Sequence, residues 1–234
     1  MKTTITAELW QYSLEFGNKK PPEILNFINN FNKNLPNGHM QTGIELCHLM
    51  GFLAKLIKAN SYLEIGIFTG YSLISMATHL SDNAKITALE LEEKNVETVK
   101  SNVILANEIA IKNPLQPKIC QDIEYITGDA NITMPKLVSE NRNYDLIFID
   151  ANKSSYLDYY QYAKNLLSET GILMIDNIFK GYSNLADTNK APKFIEKVHN
   201  MNMNILNDPD IDSCMLPISD GLTLISLKHS NDYD

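Results

Sequence analysis

Residues 62–72, YLEIGIFTGYS, constrain this chain more than any other stretch. Leu63, Ile65 and Ile67 alternate with Glu64 and Gly66, which predicts a strand. The run then breaks at Gly70 and continues as Ser72-Leu73-Ile74-Ser75-Met76-Ala77, which predicts a helix entered through small polar residues. A buried strand passing through a glycine-rich turn into a helix is how open α/β sheets build a nucleotide site. The glycines let the backbone approach the ligand at the carboxyl end of the strand. Glu64 does not fit a pyrophosphate, which its carboxylate would repel. It suits a ligand that carries a cation or hydroxyls.

The remaining chain supplies more strands of the same kind. Residues 85–90 (KITALE) and 123–127 (IEYIT) read as short strands, 144–150 (YDLIFID) as a nearly continuous apolar run and 171–177 (GILMIDN) as another buried strand. Helical patterns span 42–59, 92–110, 155–167 and 192–205, and 114–121 reads as a polar connector. Residues 213–218 and 222–227 flank Ser219-Asp220-Gly221, which predicts a hairpin and an antiparallel last strand. Residues 1–38 hold two apolar groups, separated by Pro21-Pro22 and closed by Pro36-Asn37-Gly38. They read as a two-helix cap that covers the sheet, roofs a site or forms a dimer face. The expected fold is a doubly wound, mainly parallel α/β sheet of seven strands, Rossmann-like, with a C-terminal hairpin. One domain is expected over 1–234: the cap (1–38), the core (39–228) and a frayed tail (229–234).

Composition narrows the partners. A formal charge of −8 argues against a nucleic-acid or anionic membrane surface. Cys47, Cys120 and Cys214 are widely spaced without a CxxC pair, so free thiols in a reducing compartment are expected, not zinc or a disulfide framework. The first residues lack an apolar signal core and no run reaches membrane-spanning length, so a cytoplasmic location is expected. His48 lies beside an apolar helix face and reads as core or surface, not as a ligand.

Four strands end in Glu64, Glu90, Asp150 and Asp176-Asn177, and in a parallel sheet these ends share one edge. Any one acid could be an ordinary cap; four along one edge predict a crevice. Glu90 stands 26 residues after Glu64, near where nucleotide-binding folds place an acid on ribose hydroxyls. Gly66-x-x-x-Gly70 departs from GxGxxG, so an NAD-dependent oxidoreductase is the weaker reading. A nucleoside with an amino-acid part and no pyrophosphate, such as S-adenosylmethionine, fits better. Asp150, Asp176 and Asn177 offer only oxygen donors, which suits a hard cation. Lys153, three residues after Asp150, is placed near such a cation to act as a general base; alone it would read as a solvated surface lysine.

These residues resemble the cation-dependent class I O-methyltransferases, the group of caffeoyl-CoA and catechol O-methyltransferases and their bacterial relatives. The markers are Leu63-Glu64-Ile65-Gly66 with Phe68-Thr69-Gly70-Tyr71-Ser72, Phe148-Ile149-Asp150-Ala151-Asn152-Lys153 with Tyr156, Ile175-Asp176-Asn177, and residues 216–224, LPISDGLTL. The resemblance implies the following roles. Glu64 meets the methionine ammonium of S-adenosylmethionine, and Gly66 and Ser72 hold its methionine part. Met40, Gln41 and Thr42 close over the cofactor. Glu90 takes the ribose hydroxyls, with Gly128, Asp129 and Ala130 against the adenine, and Phe68 and Asp150 complete the cofactor-contacting set. Asp150, Asp176 and Asn177 bind a divalent cation, Mg²⁺ first with Ca²⁺ or Mn²⁺ as alternatives, and Asp150 and Lys153 are catalytic. The implied reaction moves a methyl group to a vicinal-dihydroxy aromatic small molecule, in an enzyme that is a homodimer. A non-catalytic or differently specific nucleoside-cofactor-binding protein of the same fold is the alternative. Four positions depart from the pattern: Lys180 for a tryptophan, Ser219 for a glycine, Ile44 for a proline and Asn152 for an aspartate. The segment 107–122 is also longer than usual.

Overall fold

The computed structural model describes residues 6–17, 20–179 and 193–228. Lys180 and the tail 229–234 lie outside the described residues. Helices α1 (Ala7–Phe16) and α2 (Glu23–Asn32) lead through a 3₁₀ turn (Gly38–Met40) to α3 (Ile44–Leu56). The core then runs β1 (Ser61–Ile65), α4 (Tyr71–Ala77), β2 (Lys85–Glu90), α5 (Glu93–Lys112), β3 (Ile123–Thr127), α6 (Ala130–Ser139) and β4 (Tyr144–Ile149). A second 3₁₀ turn (Lys153–Ser155) enters α7 (Tyr156–Leu166), followed by β5 (Leu167–Asp176), α8 (Lys193–Leu206), β6 (Ile211–Leu216) and β7 (Leu222–Leu227).

The seven strands lie in the order β3-β2-β1-β4-β5-β7-β6, and only β7 runs against its neighbours. The predicted mixed sheet with one antiparallel strand is thus what forms. Strand alternation sends Tyr62, Leu146, Phe148 and Met174 to the face covered by α2, α3, α4 and α5. Leu63, Ile65, Ile147, Ile149, Leu173 and Ile175 pack on the other face against α6, α7 and α8. The inner strand β4 and the second half of β5 are buried on both faces, which is why they read as continuous apolar runs, while the edge strands β3 and β6 are only partly covered. Chain order reverses between β1 and β4, the point where such sheets open a crevice at their carboxyl edge.

The sequence reading contains no helix between residues 130 and 144, where α6 forms. Pro135 lies inside it and cannot donate to the turn before, so it argues against a helix. Asp129 compensates at the start by accepting Asn131 N at 2.9 Å, and Met134 and Leu137 bury the inner face. β5 begins four residues earlier than the apolar run implies and joins β4 through an irregular register near Tyr144 and Leu146. The long connector is tied down at both ends. Asn107 exchanges two hydrogen bonds with Ile119, and Gln121 donates to the carbonyls of Ala77 and Ser81. Gln116 accepts Glu23 N at 2.8 Å, so the connector also anchors the start of α2. No helix among the described residues is long and apolar enough to cross a membrane.

Candidate functional site

A cavity of about 850 Å³ opens at the carboxyl edge of the sheet. Fourteen of the fifteen residues singled out from the sequence line it: Met40, Gln41, Thr42, Gly66, Phe68, Ser72, Glu90, Gly128, Asp129, Ala130, Asp150, Lys153, Asp176 and Asn177. Glu64 is the exception. It is fully buried beneath the floor, on the same face as Tyr62, where it accepts hydrogen bonds from the Tyr62 hydroxyl (2.7 Å) and from Ser72 Oγ. Burial pushes its carboxyl up to about 8, against the two hydroxyl donors, which pull it down. Ser72, which donates to Glu64, does line the cavity.

That buried carboxyl has a consequence for stability. The folded chain holds a proton on Glu64 that the unfolded chain releases above pH 4.5, so stability falls as pH rises from 4.5 to about 8. The slope reaches about 1.4 kcal/mol per pH unit. Glu64→Gln is expected to remove this part of the slope. Thermal melts of both proteins across pH 5–8 test it; identical slopes would contradict it.

The glycine-rich turn is built for close approach. Gly66 has φ +87, and a Cβ there would stand 2.3 Å from the Asp150 carbonyl oxygen. Phe68 at φ +47 and Gly70 at φ +85 continue the left-handed path. Glu90 holds this turn: its Oε2 accepts Ile67 N (3.1 Å) and Phe68 N (3.0 Å), and its Oε1 accepts Glu92 N (3.1 Å) and Asn95 Nδ2 (3.2 Å). All four lone-pair positions are in use. A ribose hydroxyl reaches Glu90 only by displacing one of these donors or sharing an oxygen with it.

Across the crevice, Asp150, Asp176 and Asn177 form one corner. Asn177 Nδ2 donates to Asp150 Oδ1 at 3.2 Å, and Lys153 Nζ pairs with the same oxygen at 3.4 Å. Asn177 N donates to Asp176 Oδ1 at 2.7 Å and stabilises the left-handed Asn177 (φ +64). Asp176 is 4% exposed, and its carboxyl is raised above the ordinary range by burial and then by the charge on Asp150. Among the described residues no three of His, Cys, Asp and Glu gather as a metal-binding group. The corner therefore offers two carboxylates and one amide oxygen, available by a half-turn of the Asn177 carboxamide. Hard donors with an excess of buried negative charge fit a divalent cation that completes its shell with water or ligand oxygens.

The segment after β5 is fixed by the hairpin turn, with Phe179 N on Asp220 O (2.8 Å) and Ile178 N on Gly221 O (3.2 Å). The departures from the family pattern have local explanations. Ser219 adopts φ +49, a conformation easier for glycine, and its hydroxyl bonds Glu45 in the first turn of α3. Ile44 is the first residue of α3, where proline is favoured but other residues fit. Asn152 accepts Ser154 N at 3.1 Å, as an aspartate would.

Several lining residues escaped the sequence reading: His39, Tyr71, Leu91, Asn95, Tyr159 and Phe194. Leu91 was the most findable, a large apolar residue directly after an acid at a strand end. Tyr159 and Phe194 carry no local signal.

A sequence model described as O-methyltransferase matches residues 16–228. Caffeoyl-CoA O-methyltransferase 5 of Nicotiana tabacum is 31% identical, with 92% of this chain and 89% of that protein aligned. Caffeoyl-CoA O-methyltransferase 2 of Eucalyptus globulus is 30% identical, over 92% and 87%. Among solved structures, the O-methyltransferase TomG from Streptomyces achromogenes, in complex with S-adenosylmethionine, superposes with a TM-score of 0.80 at 22% identity, covering 97% of this chain and 100% of that one. The Bacillus cereus O-methyltransferase in complex with S-adenosylhomocysteine gives 0.76 at 23% identity, over 93% and 96%.

A doubly wound sheet with a glycine-rich turn and an acid-lined crevice at its switch point defines a class I methyltransferase fold, and this chain belongs to the O-methyltransferase family. It is an S-adenosylmethionine-dependent O-methyltransferase of the caffeoyl-CoA O-methyltransferase type.

Proposed function

We propose that the enzyme methylates one hydroxyl of a vicinal-dihydroxy aromatic small molecule, and that it needs a divalent cation, Mg²⁺ first and Ca²⁺ or Mn²⁺ as alternatives. The observation that carries this is the corner of Asp150, Asp176 and Asn177 beside Lys153, facing the glycine-rich turn across one cavity. These three residues would hold the cation, which when bound supplies positive charge that favours the ionised acceptor hydroxyl. S-adenosylmethionine supplies an electrophilic methyl group on sulfur.

The protein's own residues do the rest. Gly66, Phe68 and Ser72 form the wall for the amino-acid part of the donor, and Glu64 aligns Ser72 from beneath. Met40, Gln41 and Thr42 form the facing wall. Lys153 takes the proton of the acceptor hydroxyl as the oxygen accepts the methyl group, and S-adenosylhomocysteine leaves with the electron pair of the broken S–C bond. Fixing the oxygen and methyl carbon close together in a dry cleft supplies much of the rate.

The carboxylates of the cavity bear on the acceptor. Among the described residues, Glu90, Glu92, Asp129, Asp150, Asp176 and Asp220 line it, against Lys94 and Lys153, and both lysines are already paired, with Glu92 and Asp150. The chain's single arginine, Arg142, bonds Glu124 and Glu140 elsewhere. Such a lining favours an acceptor without phosphate groups. In a panel with methyl-labelled S-adenosylmethionine, caffeate is expected to react at least about 100-fold faster than the matching monophenol, p-coumarate. Caffeate should also outpace caffeoyl-CoA. Equal rates with the monophenol would overturn the diol reading.

A homodimer fits the exposed aromatic side chains of the cap, Tyr12, Phe16, Phe27 and Phe31. A cytoplasmic location fits three free cysteines, of which Cys120 and Cys214 are exposed.

A further inference from the structure

We propose that Asn32, the last residue of α2, is a positioning residue for the methyl donor. It ties the segment carrying Gln41 to the glycine-rich turn, and so couples the N-terminal cap to the donor half of the crevice. The inference rests on the O-methyltransferase reading of that crevice, yet Asn32 does not itself line the cavity.

Asn32 is 1% exposed, and a buried amide must find partners or destabilise the fold. Its Nδ2 donates to Gln41 Oε1 and to Thr69 Oγ1, each at 2.8 Å. Gln41 Nε2 in turn donates to Asn29 Oδ1 (3.2 Å), one turn earlier on the same helix. Thr69 is held from the opposite side by Asn102 Nδ2 of α5, which donates to its carbonyl at 3.0 Å. One buried carboxamide thus joins three segments that are distant in sequence.

The geometry explains why a side chain is needed there. Phe68 and Gly70, on either side of Thr69, are both left-handed, so the turn is not held by regular strand or helix pairing. The segment leaving α2 folds back tightly: a Cβ on Gly38 would stand 1.8 Å from the Asn32 carbonyl oxygen. Gln41 then sits over the helix end, with its backbone neighbours Met40 and Thr42 on the cavity wall. Turning both amides, Asn32 and Gln41, end for end would keep the link between them, whereas turning one alone would set like groups against each other, so the two orientations are tied together. An apolar side chain of the same size would fill the space and leave Gln41 and Thr69 unlinked.

The test is calorimetric titration of the full chain with S-adenosylhomocysteine, together with steady-state kinetics. Asn32→Leu is expected to weaken S-adenosylhomocysteine binding roughly tenfold and to raise KM for the donor equally. kcat at saturating donor and KM for the acceptor should stay within about twofold, a split that a general loss of stability does not produce. Combining it with Gln41→Leu should weaken binding by less than the two single changes added together, because both cut the link between them. Asn29→Ala, on the half-buried rim of the helix, should cost about threefold. Unchanged affinity in Asn32→Leu, a loss confined to kcat, or full additivity with Gln41→Leu would overturn the proposal. Should Asn32→Leu not fold, unchanged affinity in both Asn29→Ala and Gln41→Leu would overturn it instead. Failure of the unaltered protein to bind S-adenosylhomocysteine would count against the donor reading itself.

Discussion

Asp176→Ala is expected to lower turnover by on the order of 10²–10³-fold while S-adenosylhomocysteine affinity stays within about twofold. Asp176 ends β5 with its carboxylate buried, and its Oδ1 holds the backbone of Asn177 in the left-handed conformation that aims the neighbouring amide at Asp150. The change removes one oxygen donor and loosens a second. The donor-binding wall around Gly66 and Ser72 lies on β1 and α4 and makes no use of Asp176. Stability separates this effect from misfolding. Burial and Asp150 both raise the Asp176 carboxyl, so ionising it opposes folding, and that opposition sets in as pH rises above 3.8. The alanine variant should therefore melt no lower than the parent near neutral pH. Turnover within about threefold of the parent would remove Asp176 from the mechanism.

Lys153→Ala should lose about 10²–10⁴-fold in turnover, also with donor affinity retained. The 3₁₀ turn that begins at Lys153 places Nζ 3.4 Å from both Asp150 Oδ1 and the Ala151 carbonyl, and 5.6 Å from the centre of the Tyr156 ring. This lysine is held at the edge of the corner, not extended into solvent. Two roles are open to it there, proton acceptor and fixed positive charge. Lys153→Arg separates them, because a guanidinium keeps the charge and does not give up its proton. As a base, Lys153 is not rescued by arginine, and the alanine variant gains activity as pH rises and hydroxide takes over proton removal. A fully active arginine variant would leave Lys153 only an electrostatic role.

Much of the fold is visible in the chain because burial on two faces leaves a strong mark. The runs at 144–150 and 171–177 could hardly be anything but inner strands, and their acidic ends point to one edge. Gly66 could be read as a point of close approach, and its clash distance to Asp150 gives the reason. Helix α6 was hidden by Pro135, since local propensity speaks against a helix that Asp129 and two buried side chains nonetheless secure. The odd acid of the glycine-rich turn, Glu64, stands out in the sequence, but its depth does not. Which side of a strand faces the ligand depends on how the next helix packs, and here Ser72 comes between. Asn32 was invisible for a related reason: its partners lie 9 and 37 residues away, and no periodicity records them. Lys180, the departure bearing most on the acceptor, lies outside the described residues.

We propose that the acidic corner works with a divalent cation on a vicinal diol. Mass-spectrometric detection of methylated caffeate, from the full chain with S-adenosylmethionine, tests it in three samples: with Mg²⁺, with excess EDTA, and with EDTA followed by Mg²⁺ in excess. Product is expected in the first, at least about 100-fold less in the second, and recovery in the third. Undiminished product in EDTA would contradict the account.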